Sequence, residues 1–102
     1  MNKTRRKAIQ ALAARVADKA SALAALADEF ATMRDDLEAL RDEECNYVDS
    51  MPAGFRESDK GSAAEAACDE LTSAFELLEL LVDALDFPGD DFAAHLDTAR
   101  AA

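Results

Sequence analysis

The chain has 102 residues and a formal net charge of −11; half of its residues are hydrophobic, but only 6% are aromatic. That length sets one small domain as the expectation. Alanine supplies much of the apolar content, and alanine favours helix while burying little area, which excludes a bulky globular core and suits helices packed side by side. Two prolines and three glycines leave few breaks, so the expected class is all-α.

The charge is unevenly placed. Residues 1–19 hold Lys3, Arg5, Arg6, Lys7, Arg15 and Lys19 against Asp18, a balance of +5, whereas residues 20–102 carry 5 basic and 21 acidic side chains, a balance of −16. A large acidic balance repels phosphates and argues against direct nucleic-acid binding; it favours a protein partner with a basic surface. The basic start opposes the positive end of its own helix and gains from an acidic contact.

The first helix is expected over residues 3–50, capped by Asn2 or Thr4. From Ile9 to Met51 no glycine or proline intervenes, and an apolar residue recurs every three or four positions. With Ile9 as heptad position a, the a row is Ile9, Val16, Leu23, Phe30, Leu37 and Glu44, and the d row is Leu12, Lys19, Leu26, Met33, Leu40 and Tyr47. A sustained a/d repeat marks a coiled-coil seam. At ~1.5 Å per residue this helix is roughly 70 Å long, more than the remainder of the chain is expected to cover, so a second copy is implied. Lys19 and Glu44 are the two charged faults in the seam. In an antiparallel homodimer that sets a layers against d layers, one register places Lys19 opposite Glu44 of the other copy, where a paired charge can fix orientation. The bland alternative is that both charges reach solvent at a loose seam.

Pro52 and Ala53-Gly54 end this helix, and residues 51–61 form a connector, with Met51 and Phe55 expected to close the end of the bundle. The second helix is expected over 62–86. Ser62 and Glu65 have the spacing of a capping box, and Ser58-Asp59 offers an earlier start that would put Gly61 in the first turn. Its seam is Ala64, Cys68, Leu71, Phe75, Leu78, Val82 and Leu85, widened near the end by Leu77, Leu80, Leu81 and Ala84. A stripe that wide implies more than one neighbouring helix. Phe87-Pro88-Gly89 stops it, and Asp90 or Asp91 is expected to cap a short helix over 91–100. The short connector folds the two long helices into an antiparallel hairpin, leaving Ile9, Leu12, Val16 and Leu23 uncovered unless the last helix folds back or another chain docks.

Candidate chemistry is sparse. His95 is the only histidine and has no second ligand nearby, so no metal or other cofactor is expected. Cys45 and Cys68 approach across the hairpin, and two close thiols are expected there rather than a disulfide. Asp35, Asp36, Asp42, Glu43 and Asp49 crowd one stretch of the first helix; without a cleft they read as a solvated or partner-binding face rather than as acid–base catalysts. No nucleotide, nucleophile or metal motif is present, and no enzyme activity is expected. The N-terminus does not read as a signal peptide, because Gln10, Arg15, Asp18 and Lys19 interrupt Ala8–Ala27. No apolar run reaches ~18 residues, so a cytoplasmic protein without membrane contact is expected.

The stretch RDEECNYVDSMPAGFRESDKGSAAEAA, Arg41 to Ala67, resembles a small acidic helical-hairpin family of bacteriophages and mobile elements. The matching positions are Arg41, Asp42, Glu43, Glu44, Tyr47, Met51, Pro52, Ser58, Asp59, Lys60, Gly61, Ala64 and Glu65, after a basic opening at Asn2–Lys7. Cys45 departs from the usual glutamine or glutamate, and the segment after Leu85 departs from a pattern that ends with the second helix. The resemblance implies a hairpin and a phage or mobile-element origin, and names no activity. Together with the charge, it makes a non-enzymatic, homodimeric interaction protein the leading reading. The concrete form is an inhibitor that presents acidic helical faces to a host defence or nucleic-acid enzyme, with virion assembly or scaffolding as the alternative.

Overall fold

The computed structural model describes residues 2–102 and is all-α. Four helices follow in order: α1 (Lys3–Asp49), α2 (Ala53–Arg56), α3 (Asp59–Ala84) and α4 (Gly89–Ala101). The chain divides into two compact units. One comprises residues 28–83, and the other residues 2–27 with 84–102.

Asn2 caps α1, its Oδ1 accepting the Arg5 amide at 2.8 Å. At the far end the Ser50 and Met51 amides still return to the Asn46 and Val48 carbonyls, at 3.0 and 3.1 Å. Pro52 has no amide to continue the series, and the helix stops.

In the unit over 28–83 the connector is more structured than expected. The Phe55 and Arg56 amides both bond the Pro52 carbonyl, at 2.9 and 3.1 Å, and wind the single turn of α2. Met51 is half-buried, but Phe55 is 65% exposed and does not close the end of the hairpin. α3 begins at Asp59 rather than Ser62. Ser58 is the cap: its Oγ accepts the Gly61 amide at 3.2 Å, and its carbonyl accepts the Ser62 amide at 2.9 Å. The earlier start adds most of a helical turn, and Glu65 is drawn instead to Arg56 at 3.2 Å. Gly61 is buried, and a Cβ there would meet the Phe55 and Arg56 carbonyl oxygens at distances no side chain tolerates. The Ser58-x-x-Gly61 pattern thus has a physical reason: the serine satisfies an amide, and the glycine admits the turn before it.

α1 and α3 are joined by a disulfide between Cys45 and Cys68, in place of the two close thiols expected. The antiparallel hairpin brings their Cα atoms to 5.1 Å, within the range a disulfide spans. Arg41 adds a contact across the same pair of helices, its Cζ lying 4.6 Å from the Phe75 ring centroid.

In the unit over 2–27 and 84–102, α4 covers part of α1, the arrangement in which the last helix folds back. α4 starts at Gly89, ahead of the expected 91, with Pro88 as its N-cap residue and no side-chain cap. Asp90 and Asp91 sit inside the first turn, where their charge meets the positive end of the helix. The Phe87 and Phe92 rings pack against each other across the turn, with centroids 5.8 Å apart and planes tilted by 51°. At the other end of α4, Arg6 Nη2 donates to the Ala102 carbonyl at 3.2 Å. Ile9, Val16 and Leu23 become half-buried, as do Leu85, Phe92 and Leu96.

Two variants test this account. The disulfide closes a loop of 23 residues' separation, and chain entropy assigns such a loop about 3 kcal/mol. Cys45→Ser with Cys68→Ser should lower unfolding free energy by that order in denaturant titrations; an unchanged midpoint would show that packing alone holds the hairpin. Gly61→Ala should cost about 1–3 kcal/mol from overpacking. Gly54→Ala, which meets no atom within 4 Å, should be neutral or slightly stabilising, and equal effects at the two sites would contradict the close approach at Gly61.

Candidate interaction surface

The heptad pattern of α1 is divided between two directions. The a row is half-buried, and so is the next row around the helix toward the chain's own neighbours: Ala13, Ala20, Ala27, Arg34 and Arg41, ending at the buried Val48. The d row is left in solvent. Leu12, Leu26, Met33, Leu40 and Tyr47 are between 44% and 56% exposed, and Lys19 is exposed with them. The direction of contact therefore lies beside the a row on the side away from d. In the unit over 2–27 and 84–102 short alanines at 13, 20 and 27 permit close helix approach; in the unit over 28–83 the Arg41 guanidinium lies over Phe75. Glu44, the acidic fault, is half-buried with the rest of its row.

Within the unit over 28–83 the d flank of α1 continues onto α3. Tyr47 and Lys60 line one groove, while Cys45, Glu65, Cys68 and Asp69 line another on the opposite side of the hairpin. Lys60, Ala67, Ala74 and Leu81 are seven residues apart and share a row of α3, so Leu81 adjoins the side of Tyr47 and Leu40. Leu81 is 38% exposed, and Leu77, one turn before it, is 69% exposed. The wide apolar stripe expected to be surrounded by helices is open along this edge within the chain.

The carboxylates of α1 form two further rows. Asp28, Asp35, Asp42 and Asp49 recur every seven residues, and Glu29, Asp36 and Glu43 form a second row about 100° further around the helix, next to the d row. All seven are exposed. The proposed partner-binding residues Asp35, Asp36, Asp42, Glu43 and Asp49 are thus brought together on one helix and face water. Two of them are partly neutralised, which the composition did not suggest. Arg34 bonds Asp35 at 3.3 Å and Arg41 bonds Asp42 at 3.0 Å. The signal was present in the two Arg-Asp dipeptides seven residues apart. Such exposed pairs contribute little stability, but they lower the net charge of that row.

In the other unit, Leu12, Val16, Leu23 and Phe87 line an open groove of about 510 Å³, with Arg15, Asp18 and Lys19 around it. His95 is exposed on α4. Among the described residues no group of three or more His, Cys, Asp or Glu side chains is placed to hold a metal ion, and no helix is long and apolar enough to cross a membrane. In comparisons with protein-family models, curated proteins and solved structures, nothing matches this chain.

Proposed function

We propose that this is a non-enzymatic interaction protein of phage or mobile-element origin. It acts as a homodimer in the host cytoplasm and inhibits a host defence or nucleic-acid enzyme by occupying a basic groove. The observation that carries this reading is the double row of exposed carboxylates on α1, repeated at heptad spacing from Asp28 to Asp49. Seven charges over 21 residue steps correspond to one per roughly 4.5 Å of helix axis at ~1.5 Å per residue. One strand of nucleic acid carries a charge per ~3.4 Å and a duplex one per ~1.7 Å. With Asp35 and Asp42 ion-paired, the five remaining charges amount to one per roughly 6 Å, about half the density of a single strand and about a quarter of that of a duplex. A groove that binds one strand is the better match.

Virion assembly or scaffolding is the second reading. The exposed apolar flank of Met33, Leu40, Leu77 and Leu81 favours it, since such flanks are built to be covered. A pull-down from host lysate separates the two. Recovery of a basic nuclease or defence complex supports inhibition, and recovery of capsid or tail proteins supports assembly.

For the inhibitor reading, Asp35→Asn, Asp42→Asn and Asp49→Asn together should weaken target binding by at least roughly tenfold while helicity is retained, and wild-type binding should fall steeply with added salt. Salt-independent binding by a folded triple variant would exclude charge mimicry.

A further inference from the structure

The d row of α1 and the row beside it change character along the helix. Before Asp28 these two rows carry Arg5, Leu12, Arg15, Lys19 and Leu26, with no acidic residue. From Asp28 onward they carry Glu29, Met33, Asp36, Leu40, Glu43 and Tyr47, with no basic residue. Every one of these side chains is exposed. These heptad rows of α1 are therefore apolar along their middle and rimmed by bases before Asp28 and by acids after it. An apolar flank rimmed by carboxylates favours a helix with the same apolar spacing and basic edges. The only basic stretch in the sequence lies in residues 1–19.

We infer that the acid-rimmed flank formed by Met33, Leu40 and Tyr47 is the docking site for the basic start of α1 from a second copy of this chain, laid antiparallel. This rests on the homodimer of the proposed function and specifies its contact. Because the a row is already half-buried within each chain while the d row is exposed, the d row offers a larger area to a second copy than the layers of a against d that would set Lys19 opposite the partner's Glu44. The d rows meet each other instead. One register places the six d residues from Leu12 to Tyr47 in layers: Tyr47 against the partner's Leu12, Leu40 against the partner's Lys19, and Met33 against the partner's Leu26. The Lys19 stem covers the partner's Leu40, and its ammonium lies between the partner's Asp36 and the partner's Glu43. In the neighbouring row Arg15 lies opposite the partner's Glu43. Two-fold symmetry repeats each of these pairs. The cost is one meeting of like charges, Glu29 with the partner's Glu29 at the axis, where both remain open to water. The dimer occupies the Glu29–Glu43 row, so in the assembled pair the contact with a basic target falls to the exposed Asp28–Asp49 row alone.

The test is a charge exchange read by sedimentation equilibrium of the full chain at micromolar concentration, with helicity checked by circular dichroism. Wild type should be dimeric. Arg15→Glu alone and Glu43→Arg alone should each weaken the dimer about tenfold, since a rim pair becomes a repulsion twice over. The combined Arg15→Glu, Glu43→Arg chain should recover to within about threefold of wild type. A monomeric wild type would overturn this docking together with the homodimer. A dimer that ignores the single changes, or is not restored by the exchange, would overturn this register and leave the homodimer standing. Neither result bears on the Asp35, Asp42 and Asp49 test of the acidic strip.

Discussion

A helix with one neighbour buries a single stripe, and every side chain at the edge of that stripe keeps one flank in water. That constraint governs this molecule. Among the described residues Val48 and Ala64 are the only buried hydrophobic side chains, and both lie near the end of the hairpin where α2 and the connector supply extra cover. Elsewhere the contacts of α1 with the rest of its own chain leave the a row half-buried. Hydrophobic burial scales with area removed from water, so half-buried residues contribute only part of their transfer free energy. The hairpin is held in addition by the Cys45–Cys68 bond, by Arg41 over Phe75, and by the Ser58–Gly61 turn. These features gather in one unit, whereas the other relies on thinner contacts such as Phe87 with Phe92 and Arg6 with Ala102.

The helical class and the breaks at Pro52 and Pro88 were legible because periodicity and proline chemistry act locally. The starts of α3 and α4 were less so. Ser62 with Glu65 has the better capping pattern, but Ser58 is favoured once the chain has turned at Pro52, because it lets the helix begin earlier and frees Glu65 for Arg56. At α4, Pro88 takes the N-cap place and the aspartates move into the first turn. The direction of the contact on α1 was not legible either. An a/d repeat shows where apolar residues lie, not which edge meets the chain's own helices and which stays open. Alanines at 13, 20 and 27 carry that choice, and in a hydropathy pattern they are nearly silent. The bonding of Cys45 to Cys68 depends on their facing across the hairpin, which one residue of register would change.

The carboxylate rows were legible as a crowd of acids and less so as a surface. Spacing by seven aligns Asp28, Asp35, Asp42 and Asp49 whatever the helix packs against. Their neutralisation by Arg34 and Arg41 depends on those arginines lying along the same side. Charge also differs in kind from apolar area here. Apolar rows can be satisfied by any helix of suitable spacing, but the change of sign along one flank of α1 selects a direction. An antiparallel neighbour of the same sequence meets opposite charges, and a parallel one meets like charges.

The covalent link has a consequence for how this chain comes apart. Cys45 and Cys68 stand on either side of the connector, and the connector carries the exposed Phe55 and Arg56. A protease that cuts there severs the backbone without releasing either piece, because the two long helices remain tied through sulfur. The nicked molecule gains only the water of hydrolysis and stays one covalent species until it meets a reductant, and only then do its halves part.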